Sequence, residues 1–180
     1  MATDPFTANP YVVKSVPGFT PTIGHLVCMM MYTRNSTLRA VEGLGVDQLD
    51  HLLDEDANSI GMLLEHIACI EEAYQFATFG LEHSEEQKAR WRIGAELGRT
   101  AREHICGHDL DHYVERLARV RARTLEELSR RDDEWLSEES GWWDGHIANN
   151  YFKWFHVYED ELNHRGQLRL LRKRLPRPSM

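Results

Sequence analysis

Apolar residues recur at helical spacing through four long stretches of this chain, and glycine-rich or polar segments separate them. The first stretch begins near Thr20-Pro21-Thr22, carries Leu26, Met29, Met30, Thr33, Thr37, Leu38 and Val41, and gives way at Gly43-Leu44-Gly45. Either threonine suits an N-cap, and Pro21 suits a first turn, where its missing N–H costs nothing. Ser59 is a good N-cap for the second helix, which holds Ile60, Leu63, Leu64, Ile67, Ala68, Ile70 and Tyr74 and stops at Gly80. Its broad apolar face predicts a helix buried on more than one side. The third starts at Leu110 or Asp111, with Tyr113, Val114, Leu117, Val120, Leu125 and Leu128 on one face and arginines and glutamates on the other, and ends near Asp132-Asp133. The fourth is expected from Ile147 to Arg174, with Pro176 and Pro178 preventing its continuation.

The connections are less regular. Residues 1–20, with Pro5, Pro10, Pro17 and Gly18, predict an extended N-terminal arm on the surface of the domain. A short segment, Val46 to Leu53, follows the first helix. Residues 81–108 form a long polar crossover with room for a short helix around 85–104, and a second crossover holds Trp135, Trp142 and Trp143. Crossovers of this length inside a compact domain often carry function. No segment sustains a period-two pattern rich in β-branched residues. The expectation is an all-α fold, a four-helix bundle with long crossover connections, over a single domain 1–180.

Composition narrows the function. A chain of 180 residues with 42% hydrophobic residues and five tryptophans supports a folded core. A net charge of −8 disfavours nucleic acid as a partner. Cys28, Cys69 and Cys106 are scattered, without CxxC spacing, so neither a zinc knuckle nor a disulfide framework is expected. A reducing cytoplasm is the simplest setting. The N-terminus lacks a secretory pattern, and the longest apolar run, Leu26 to Tyr32, is too short to span a bilayer. Ten histidines are a high count for this length and direct attention to metal chemistry.

The densest set of ligand-type side chains lies in the fourth helix, where His156, Asp160 and His164 stand at i, i+4 and i+8, flanked by Phe152, Phe155, Tyr158, Leu162 and Leu168. Residues four apart on a helix can reach one ion. His156 and His164 lie about 12 Å apart along the axis and cannot share one. The pair is therefore His156–Asp160 or Asp160–His164. His66, mid-helix among apolar residues, is the best source of a third ligand. Three protein ligands leave a coordination position open. Glu65, Asn163 and Gln167 are expected to line the pocket or orient the ligands. On spacing alone the same residues also fit a hydrogen-bonded core histidine and a solvated helix face. Cys69 and Cys28 read as core thiols, His104, His108 and His112 as surface residues, and the Trp142–Trp143 pair as either a pocket wall or packing over the bundle end.

Three segments carry a family resemblance. Asn163-His164-Arg165-Gly166-Gln167-Leu168 resembles the HRGQ-type signature of the DinB-like (YfiT-like) four-helix-bundle superfamily. Asn58 to Ala68 resembles its second-helix signature, and Gly43 to Leu49 the turn after its first helix. The resemblance implies a divalent metal, with zinc or nickel foremost, held by His66, Asp160 and His164, and leaves His156 as a pocket residue or alternative ligand. Asp160 departs from the histidine of many members and the glutamate of the mycothiol-dependent isomerase branch. The resemblance further implies an S-transferase, isomerase or hydrolase acting on a small-molecule substrate with a low-molecular-weight thiol of bacillithiol or mycothiol type, or with metal-bound water. Arg165 would then attract an acidic cosubstrate, while Arg169 and Arg172 read as a solvated helix end. The alternative class is a non-catalytic, stress-associated metal binder pairing as a homodimer.

Overall fold

The computed structural model describes residue 9 and residues 11–176, so Pro5, Pro10 and Pro178 lie outside the described residues. Four long helices form the bundle: α1 (Pro21–Val41), α3 (Ile60–Phe79), α6 (Leu110–Leu128) and α7 (Asn150–Arg174). The segment after α1 holds one turn, α2 (Val46–Leu49), and the first crossover folds into two helices, α4 (Glu85–Gly94) and α5 (Gly98–His104). The expected fourth helix starts later than its sequence pattern suggests. Ile147–Asn149 is instead a strand, β2, paired antiparallel with β1 (Glu139–Gly141). Three residues are too few for a period-two pattern to register, and Asn149 caps α7 by accepting from the Phe152 N–H.

The start of α1 is held from a distance. Thr20 occupies its cap position, but its side chain accepts no backbone N–H there. Asp133, just beyond α6, accepts from the Thr20 hydroxyl, from the Thr22 N–H and hydroxyl, and from the Ile23 N–H. A carboxylate at a helix N-terminus satisfies orphan donors and meets the positive end of the dipole. Burial works against the charged form, but the bonds from Thr20 and Thr22 outweigh it and bring the Asp133 carboxyl down to about 2. Asp133→Ala is expected to lower stability by about 1–2 kcal/mol. Because the folded pKa is depressed, the contribution of Asp133 is complete above about 3.9, the unfolded value, and fades as pH falls towards 2. Urea titrations of both proteins at pH 7 and pH 3 check the cap and the sign.

The arm crosses α1 at Gly24, where a Cβ would stand 2.6 Å from the Ser15 hydroxyl oxygen and 2.7 Å from the Val16 backbone nitrogen. Val16 is buried there, while Val12 and Val13 stay exposed.

The apolar core has two halves. One gathers Val41, Leu49, Ile60, Leu64, Leu117 and Leu168, and the other Ile23, Leu26, Met30, Phe79, Trp154 and Val157. Between these positions along the helices lies a belt of buried charge. Arg34 of α1 and Arg121 of α6 each bind both Glu71 of α3 and Glu161 of α7. Every bundle helix supplies one member, and the signs balance. Beside it, Arg116 bridges Glu65 and Glu72. The outer, polar face expected for the third helix is thus wrong at Arg116, Arg121 and Glu127, which are buried. Phe152 and Phe155 depart the other way, remaining exposed while Lys153 and Trp154 turn inward.

Candidate metal centre

Beside this belt α7 turns Glu161 into the core and the preceding Asp160 outward to a cleft. Asp160 faces His66 across the α3–α7 interface, with Nε2 of His66 4.0 Å from its Oδ2, and takes Nε2 of His164 at 3.4 Å from its Oδ1. One ligand atom from each of His66, Asp160 and His164 lies within 4.8 Å of the others. Donors about 2.1 Å from a common ion stand no more than about 4.2 Å apart, so small side-chain rotations bring all three onto one ion.

The remaining atoms favour that use. Nδ1 of His66 lies 2.9 Å from the Gly94 carbonyl, which can only accept, so the proton sits on Nδ1 and Nε2 keeps its lone pair towards Asp160. Nδ1 of His164 pairs with Oε1 of Gln167 at 3.4 Å, the same arrangement from the other side. Oδ2 of Asp160 is buried without a hydrogen-bond partner. The orphaned Oδ2 faces Nε2 of His66, and Oδ1 of the same carboxylate meets Nε2 of His164, so one carboxylate and two imidazoles form a donor set that could hold a divalent cation, with the two Nδ1 partners as orienting groups. Burial lowers the His66 pKa most; the nearby His164 adds to this, while the Gly94 carbonyl opposes it. His66 is thus neutral at pH 7, the form in which an imidazole can ligate a metal. Burial also disfavours charge on His164, but the hydrogen bond and charge of Asp160 outweigh it and raise its pKa.

The other expected site residues separate. His156 lines the same cleft, its Nδ1 2.8 Å from Glu159, but falls outside the three-ligand cluster. Asn163 donates to Glu159 at 3.0 Å and is exposed. Glu65 turns to the far side of α3, where it accepts from Arg116 and from the Cys69 thiol. Arg165 donates to the Ser36 hydroxyl of α1. Cys28 and Cys69 are buried, and His104, His108 and His112 are exposed. Of the crossover tryptophans, Trp142 joins the cleft wall, and so does Trp91 of α4. The Gly94 carbonyl was not legible in the sequence, because a backbone acceptor has no residue signature.

Gly94 also fixes how closely α4 approaches α3. A Cβ there would sit 2.6 Å from Sγ of Cys69. Gly94→Ala is expected to cost about 1–3 kcal/mol by overpacking. Adding Cys69→Ala removes the obstructing sulfur, so the double variant should recover nearly to the level of Cys69→Ala alone. A thermal-melt double-mutant cycle measures that coupling.

The cleft encloses about 510 Å³, within the range of small-molecule sites. The helical bundle is the fold of DinB-like proteins. Residues 25–176 match the Mycothiol-S-transferase family, and the chain belongs to that family. Two solved structures share the fold: a conserved protein from Enterococcus faecalis, at 14% identity, TM-score 0.64, with 81% of this chain and 91% of that one covered; and a DinB-like protein from Bacillus cereus, at 16% identity, TM-score 0.64, with 87% and 95% covered. No curated protein sequence matches the chain at a significant level. No described helix is long and apolar enough to cross a membrane.

Proposed function

We propose that the chain is a metal-dependent S-transferase that joins a low-molecular-weight thiol, of mycothiol or bacillithiol type, to an electrophilic carbon. The observation that carries this reading is the convergence of His66, Asp160 and His164 at a cleft, in a chain of the mycothiol-S-transferase family. Two imidazole nitrogens and one carboxylate oxygen suit zinc or nickel. A bound dication would supply Lewis acidity, lowering the pKa of a thiol or water brought to it.

The chain's own groups hold and orient. Gly94 and Gln167 fix the imidazoles by their Nδ1 atoms, and Asp160 offers one carboxylate oxygen to each. In the reaction the thiol gives up its proton to solvent. The sulfur electron pair then forms a C–S bond while the bond from that carbon to its leaving group breaks, and the leaving group departs with that pair.

The test is elemental analysis of the purified protein, followed by conjugation assays with mycothiol and bacillithiol against an activated aryl halide. Turnover should vanish on chelation and return with zinc or nickel. Stoichiometric metal with no turnover for any thiol would overturn the transferase reading in favour of a metal-binding protein without catalysis. Ester hydrolysis without thiol would replace it with a hydrolase using metal-bound water.

A further inference from the structure

We infer that the cleft beyond the metal centre is a subsite for a flat, uncharged aromatic group carried by the electrophile, with Ala73 and Ala77 setting its depth. The inference rests on the transferase reading and names the substrate class that such a site takes.

Along α3 the cleft is lined, after His66, by Ile70, Ala73, Tyr74 and Ala77. These positions repeat at helical spacing and extend about 16 Å along the axis from His66 to Ala77. Two of the four are alanines, which leave space where longer side chains would fill it. The sides are aromatic: Trp91 comes from α4, and Trp142 from the loop between β1 and β2. The Trp142 ring lies 5.6 Å from that of Tyr74, at an interplanar angle of 35°, and meets His156 edge-on at 5.5 Å. Such walls favour a planar ring, which stacks or meets them edge-to-face.

Charge supplies the second half of the argument. The charged side chains lining the cleft are Asp160 and Glu96, and no lysine or arginine lines it among the described residues. With a dication and a thiolate in place, the carboxylates and thiolate still outweigh the cation. An anionic electrophile would enter against like charge with no arginine or lysine on the wall to pair it. A neutral aromatic group meets no such cost. Lys153 lies near this end of the fold but its ammonium is held by the Ser140 hydroxyl, and Lys153 is not part of the cleft lining.

The experiment titrates the purified full-length protein with 2-acetylnaphthalene and with 2-naphthoate, following tryptophan fluorescence, with Trp142→Phe locating the signal. The ketone should bind at least about tenfold more tightly than the carboxylate, and Glu96→Gln should narrow that gap about threefold. Ala77→Leu should weaken the ketone about tenfold by occupying the slot. Ala77 is exposed to solvent in the cleft, so leucine there meets no core, and Ala77→Val provides a smaller step of the same sign. Equal binding of ketone and carboxylate, or no response to either Ala77 variant, overturns the subsite. Selective ketone binding without thiol addition to any electrophile upholds the subsite and defeats the transferase reading. Thiol transfer that is indifferent to Ala77 does the reverse.

Discussion

Glu71→Leu is expected to destabilise the fold by about 3–5 kcal/mol, more than any single apolar truncation at the edge of the core. Glu71 is 1% exposed, and its carboxylate takes Arg121 at 2.6 Å, Arg34 at 2.9 Å and the Thr124 hydroxyl at 2.7 Å. Removing it leaves two buried guanidinium groups sharing Glu161. The cost is then an uncompensated buried charge, rather than the net worth of one ion pair. A second substitution separates these: Glu71→Leu with Arg121→Met restores charge balance and keeps the Arg34–Glu161 pair, with Nε to Oε1 at 2.9 Å and Nη2 to Oε2 at 3.2 Å. The double variant should recover more than half the loss. Burial alone would raise the Glu71 pKa, but Arg121 and Arg34 bring it down to about 2. Its contribution is therefore complete above about 4.3, the unfolded value, and is lost as pH falls towards 2. The gap between wild type and Glu71→Leu should close on the acid side. Urea midpoints at unchanged m-value measure both effects, and a loss below about 1 kcal/mol at pH 7 would contradict the argument.

That belt also marks where the sequence stopped being readable. The long helices followed from apolar spacing, and Ser59 and Pro21 occupy the expected first positions of α3 and α1. Arg116 and Arg121 were misplaced and Arg34 was not singled out, because a helical pattern assigns arginine to water. Only a partner from another helix makes its burial tolerable, and those partners lie 37 to 127 residues away. The same limit explains Asp133, which caps a helix about 110 residues distant. Strands β1 and β2 were missed because their pairing, not their composition, defines them.

The grouping of His66, Asp160 and His164 was more legible, for a physical reason. Asp160 and His164 are one turn apart, so local geometry brings them together before any tertiary contact forms. Axial spacing alone kept His156 as an alternative ligand, and in the fold it faces Tyr74 and Trp142 instead. His66 stood out as a histidine mid-helix among apolar residues, and the resemblance in Asn58 to Ala68 added weight to it, since nothing in its own helix says that α7 passes opposite. What stayed hidden were the groups that aim the ligands and shape the cleft from the crossovers: the Gly94 carbonyl, Trp91 and the position of Trp142.

His66→Ala and His164→Ala are each expected to lower metal affinity at least about 100-fold, and Gln167→Ala about tenfold, with His156→Ala leaving it unchanged. The order follows from what each atom does. His66 presents Nε2 to the orphaned Oδ2 of Asp160 and His164 presents Nε2 to Oδ1, so losing either would leave two ligands on one ion. Gln167 touches only Nδ1 of His164, so its loss frees the ring without removing a ligand. His156 is two turns from His164 on α7, and its Nδ1 is bonded to Glu159. Competition with a chelating dye gives the affinities. Thermal melts give an independent readout, because an ion bound only by the folded state raises the melting point by an amount that grows with the logarithm of its concentration over its dissociation constant. Protons compete for the same site. Asp160 raises the His164 pKa, so the imidazole must shed a proton to ligate over part of the range near neutrality, and apparent affinity should fall as pH drops through that raised value. In His164→Ala this part of the pH dependence should disappear along with most of the binding. Full stoichiometric metal in both histidine variants would place the ion elsewhere and remove the basis for the centre.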